Sequence, residues 1–69
     1  MKTVYVIEFF DERFRESVLE RFAFSSLEEA TKELEKNNYE YSHRWNEIYI
    51  FTHKSDNRES ATIIELEVI

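Results

Sequence analysis

Hydrophobic and polar positions change period along the chain, and each period predicts an element. Thr3-Val4-Tyr5-Val6-Ile7-Glu8-Phe9-Phe10 is β-branched and aromatic, a composition that suits the pleated surface of a strand. Tyr5, Ile7 and Phe9 alternate with Val4, Val6 and Phe10, so both faces are apolar and the strand belongs inside a sheet. Residues 26–38 have the helical period instead. Leu27, Ala30 and Leu34 form one stripe, while Glu28–Lys32 and Glu33–Lys36 pairs line the wet face. Ser26 with Glu29 makes a capping box, and Ser25 with Glu28 offers the same device one residue earlier. Asn37-Asn38 ends the helix, asparagine being a common substitute for glycine at a left-handed cap.

The other stretches are less uniform. In residues 11–24, Phe14, Val18 and Phe22 recur every four positions and Asp11 could pair with Arg15, as in a helix. Read as a strand, Val18, Glu20, Phe22 and Phe24 share a face. At 100° per residue the Phe14 stripe lies about 150° from the Leu27 stripe, which argues against one helix through both. The favoured reading is a β-hairpin of 3–10 with 16–24. Residues 39–53 alternate with a period of two, placing Tyr39, Tyr41, His43, Trp45, Glu47, Tyr49, Phe51 and His53 on one side. Residues 46–53 read as a strand, with 39–45 as its extension or an ordered loop. Residues 54–59 form a turn with Asp56-Asn57 supplying local hydrogen bonds, and 60–69 is the last strand. The expected fold is α+β: a small antiparallel sheet with one helix packed on one face, ββαββ, the alternative being βααββ. Residues 1–69 read as a single domain.

Composition narrows the chemistry. Among 69 residues there is no glycine, proline or cysteine, where average usage of about 7% Gly and 5% Pro predicts roughly eight of the first two. Phosphate loops, dinucleotide fingerprints, nucleophile elbows and EF-hand loops all require glycine and are excluded. Without cysteine there is no disulfide, thiolate zinc site or redox pair. Nine Lys and Arg against fifteen Asp and Glu leave a formal net charge of −6. That balance disfavours direct nucleic-acid binding and docking on an anionic membrane, and favours a basic protein surface as partner. Met1-Lys2-Thr3 leads into an apolar run broken by Glu8, with no cleavage site of the signal-peptide kind. No run approaches the roughly 18 apolar residues of a spanning helix, and a cytoplasmic location is expected.

No catalytic, metal or cofactor site emerges. His43 and His53 would lie roughly 33 Å apart on one straight strand. Ser42 and His43 are neighbours that would point to opposite strand faces. Glu28 and Glu29 are explained by capping and the helix dipole. A cavity of about 300 Å³ is not expected in so small a fold. The informative feature is apolar surface. One helix stripe covers one sheet face, yet 3–10 and 46–53 are apolar on both, with Ile48 and Ile50 opposed to Tyr49 and Phe51. Either a rolled sheet or the 11–24 segment buries the second set, or that set is an interface. Aromatics on a sheet also stack bases in single-strand binders, but such sites add a basic groove, and only Arg44, Lys54 and Arg58 lie nearby.

Charge is uneven as well. Glutamates crowd residues 28–40 and 59–69, which reads as a solvated face or as a negative surface steering onto a basic groove. In size, acidity and the capped Ser25-Ser26-Leu27-Glu28-Glu29-Ala30 helix beside hairpins, the chain resembles small phage-encoded inhibitors of the anti-CRISPR and DNA-mimic type. The resemblance implies a non-enzymatic protein that blocks a nucleic-acid-binding or regulatory surface of a host defence nuclease such as a CRISPR effector. The first expectation is thus an acidic protein–protein interaction module. Its contacts would be Glu28, Glu29, Glu33, Glu35, Glu65 and Glu67, with Tyr41, Trp45, Tyr49 and Phe51 as anchors. The alternative is a homodimeric structural or accessory domain joined through an uncovered aromatic sheet face.

Overall fold

The strand expected inside a sheet is paired on both sides. In the computed structural model, which describes residues 2–69, β1 (Lys2–Asp11) lies between β2 (Glu16–Phe24) and β5 (Glu59–Val68). Beyond β5 come β4 (Ile48–His53) and β3 (Tyr39–Trp45), giving the order β2-β1-β5-β4-β3 with every neighbouring pair antiparallel. The only helix among the described residues, α1 (Leu27–Lys36), joins β2 to β3 and packs across one face of the sheet. This is the expected α+β fold, and residues 11–24 form the hairpin arm rather than the helix of the alternative order.

One region differs in detail. The stretch 39–53 is a hairpin, with β3 and β4 joined at Asn46-Glu47. Asn46 takes φ 57° there, a left-handed value that asparagine tolerates in the absence of glycine. Arg44 Nε donates to the Asn46 carbonyl at 2.8 Å and braces the turn. Residues 39–45 are therefore a separate edge strand.

The core forms where the helix stripe meets the sheet. Ile7, Ala30, Leu34, Tyr39, Phe51, Ala61 and Ile63 are buried, with Tyr5, Phe9, Phe24, Leu27 and Tyr49 packed around them. Cross-strand register puts Phe9 opposite Ala61, Ile7 opposite Ile63, and Phe51 opposite Ala61, all on the helix side. The fully buried Phe51, Ile7, Leu34 and Ile63 side chains each contribute about 1.5–3 kcal/mol of burial free energy. Phe9 and His53 flank the Tyr39 ring at 5.6 and 5.0 Å between centroids.

The helix starts at Ser26, whose hydroxyl accepts from the Glu29 N–H at 3.2 Å. The reciprocal half of the box is replaced: Ser25 Oγ donates to the Glu29 carboxylate at 3.3 Å. Asn37 caps the C-terminus, its Nδ2 donating to the Glu33 carbonyl at 2.8 Å, and Asn38 takes the left-handed turn at φ 67°. At the tip of the β1–β2 hairpin the left-handed residue is Arg15, φ 53°. Asp11 pairs there with Arg13 at 2.8 Å rather than with Arg15.

Candidate protein-interaction surfaces

The sheet has two chemically different sides, and the register assigns residues to each. On the helix side stand Glu28, Glu29, Glu33 and Glu35 of α1, with Lys32 and Lys36. Glu65 and Glu67 of β5 lie opposite Tyr5 and Thr3 and so face the same way, as do Asp11, Glu16 and Glu59. Arg44, opposite Tyr49, is the cation that the register adds to that side. Glu28, Glu29, Glu35 and Glu67 are exposed, and Glu33 and Glu65 are half-buried. The α1 carboxylates and those of Glu65 and Glu67 thus share one side of the sheet.

These carboxylates are not equally free. Glu29 is held by Ser25, and Glu33 lies 3.4 Å from Asn37 Nδ2. Burial raises the Tyr5 hydroxyl above its ordinary pKa, and the neighbouring Glu65 carboxylate raises it further. Glu28 and Glu35 line an open depression of about 370 Å³ with Leu27, Thr31 and Lys32. A second open depression, of about 630 Å³, lies by the β3–β4 turn between Arg44, Glu47, Ile48, Ile64, Glu65 and Leu66. Both exceed the size expected for so short a chain. They are surface concavities, and the first takes all its lining from one helix.

The four proposed aromatic anchors separate. Phe51 is 2% exposed and belongs to the core, so it offers no ring to a partner. Tyr49 is half-buried beneath the Arg44 guanidinium, 5.0 Å from its ring centre. Tyr41, 55% exposed, stacks edge-on against Phe51 on the helix side. Trp45, 65% exposed, pairs with Ile48 and stands on the opposite side of the sheet.

That opposite side is the second surface, and no element among the described residues covers it. Val4 and Val6 of β1 lie beside Leu66 and Ile64 of β5, and Ile64 lies beside Ile48 of β4. Ile50, Trp45, Leu19 and Ala23 continue the face towards the two sheet edges. Of the two apolar sets on β1 and β4, Val4, Val6, Phe10, Ile48 and Ile50 are the ones left without a partner. The 11–24 segment does not bury them, because β2 extends the sheet sideways instead of folding over it.

The histidines and serines require two corrections. Because 39–53 is a hairpin, His43 and His53 are not at opposite ends of a straight strand; His43 lies opposite Ile50 on the uncovered side and His53 opposite Tyr39 on the helix side. The sheet itself separates them. Ser42 and His43 do not diverge: a register shift between Tyr41 and His43 lets Ser42 Oγ approach His43 Nδ1 at 2.9 Å. Both are exposed on the edge strand, and no hydrogen bond orients His43 Nε2 among the described residues. Among those residues no three His, Cys, Asp or Glu side chains are grouped to hold a metal ion. No helix is long and apolar enough to cross a membrane.

One electrostatic cluster escaped the sequence reading. Arg13, at the β1–β2 tip, reaches Asp11 at 2.8 Å, Asp56 at 3.4 Å and Glu59 at 3.9 Å. Asp56 also accepts from Arg58 at 2.9 Å, which, with its backbone contact, lowers its pKa from 3.8 to about 2. Its members lie in two turns far apart in sequence, and only the β1–β5 pairing brings them together.

Comparison with known proteins leaves the surfaces to speak for themselves: no family model, no curated protein and no solved structure matches the chain.

Proposed function

We propose that this chain is a non-enzymatic interaction module whose acidic helix side docks on a basic surface of another protein. The observation that carries the reading is the placement of the α1 carboxylates and Glu65 and Glu67 on one side of the sheet. Segregated charge of this kind accelerates encounter with a basic groove and disfavours wrong partners. The exposed Glu28, Glu35 and Glu67 are the principal contacts, with Tyr41 as an exposed aromatic on the same side of the sheet. In this reading the occupied groove is one that otherwise takes nucleic acid. The chain acts as an inhibitor of a defence nuclease such as a CRISPR effector, in the cytoplasm of a phage-infected host.

The test is target-DNA cleavage by purified CRISPR effectors with and without the chain. The expected result is loss of cleavage that Glu28→Lys with Glu35→Lys restores, with the helical circular dichroism unchanged. Undiminished cleavage by every effector tested would remove the nuclease target. Inhibition that survives the charge reversal would remove the acidic side as its cause.

A further inference from the structure

The uncovered sheet face is separate from the acidic side, and its chemistry selects a different partner. Val4, Val6, Ile48, Ile50, Ile64 and Leu66 form a continuous apolar block at its centre. The charged side chains on this face are Lys2, Glu8 and Glu40 by register, and Arg21 by its place between Leu19 and Ala23 in β2. Leu66 is 46% exposed and Trp45 more so. We infer that two copies of this chain pack these faces together in a two-fold dimer, forming a sandwich with both helices outside.

Three arguments favour a second copy over other occupants. The first is width. Five strands at about 4.8 Å spacing span about 24 Å, whereas a helix with its side chains is about 10–12 Å across and would leave half the face wet. A second twisted sheet, packed about 10 Å away, matches the whole width. The second is area. About 24 Å across and about 25 Å along the strands gives about 600 Å² in projection, and side-chain relief raises this towards the roughly 800 Å² per partner of a stable interface.

The third is charge. Each copy carries −6, so two copies repel unless their acidic sides point apart. Face-to-face packing of the sheets sets the two helix layers on the order of 30 Å apart, beyond the roughly 8 Å screening length at physiological ionic strength. A two-fold axis makes each face its own complement, and the sparse charge on this face is what like-charged copies require.

Trp45 is the sole tryptophan and stands on this face, so the unmodified protein carries its own probe. Sedimentation velocity from 1 to 200 μM is expected to show a species of twice the 8.5 kDa chain mass, while Trp45 emission shifts to the blue and resists acrylamide quenching as the dimer forms. Leu66→Glu and Ile64→Glu are each expected to raise the dimer dissociation constant about 30-fold or more; Thr31→Ala, on the helix side and without change of charge, leaves it unchanged. A wild-type chain that stays monomeric throughout the range overturns the proposal, whether the face is bare or meant for a different protein. A dimer whose formation leaves Trp45 equally quenchable overturns it too, and so does one that survives both face variants, since an edge strand would then hold it.

Discussion

Without glycine, the left-handed backbone positions fall to Arg15, Asn38 and Asn46. The asparagines have short polar side chains that adopt this region readily, whereas arginine carries the full steric cost of its Cβ, about 1–2 kcal/mol. Arg15 is exposed at a hairpin tip and takes part in none of the ion pairs around Arg13. Removing its Cβ therefore relieves strain without breaking one of these ion pairs. Arg15→Gly is expected to stabilise the fold by about 0.5–1 kcal/mol after the added unfolded-state entropy of glycine is offset. In a domain of this size that raises the thermal midpoint by about 2–8 °C, measured by circular dichroism. A midpoint that falls would mean the left-handed turn has another support. At the same scale, the aromatic residues show why residue type alone does not assign a role. Tyr41 and Phe51 touch, yet one is exposed and the other is sealed in the core.

Between elements, the Arg13 cluster joins the β1–β2 tip to the turn before β5. Asp56 is its titrating member. The folded pKa of about 2 lies below the ordinary 3.8, chiefly through the Arg58 hydrogen bonds. A depressed carboxylate contributes stability that is complete above its unfolded value and is lost as the pH falls through the folded one. Asp11 is depressed in the same direction by Arg13. The urea midpoint is expected to decline between about pH 4 and pH 2. Asp56→Asn keeps an oxygen to accept from the Arg58 N–H and removes only the charge. Its curve is expected to lie below wild type at pH 6 and to meet it near pH 2; parallel curves would show that Asp56 carries none of the acid sensitivity.

The helix and the inner strand β1 were legible because local signals agree there: the Leu27-Ala30-Leu34 stripe, the Ser26 cap, the apolar run of β1. The β3–β4 hairpin was not, for a specific reason. The irregularity at Ser42 moves His43 and Trp45 to the other face, and the two-residue turn at Asn46-Glu47 moves Tyr49, Phe51 and His53 back. The two shifts cancel, so the sequence alternates as if one strand ran straight through. The uncovered apolar face was legible as a surplus of hydrophobic positions. Which set stayed bare depended on where the helix lands, and that is a tertiary choice.

At the scale of the whole molecule, a sheet with an acidic side and an apolar side has two association surfaces with opposite responses to salt. Docking of the helix side on a basic partner gains from attraction between unlike charges, which added salt screens. Pairing of two sheet faces brings together chains of −6 each, so its electrostatic contribution is repulsive and screening weakens the opposition while apolar burial is retained. Raising sodium chloride from 20 to 300 mM is therefore expected to tighten the dimer severalfold in sedimentation equilibrium. Over the same range, inhibition of a responsive nuclease, measured as the chain concentration for half-maximal effect, is expected to weaken by tenfold or more. Glu28→Lys with Glu35→Lys flattens both responses, because it removes charge from the side that attracts the partner and repels the copy. If both associations weaken with salt, the two processes use the same acidic surface, and the division of labour between the faces is wrong. If both tighten, apolar burial drives the docking too, and the carboxylates of α1 serve only to keep the helix wet.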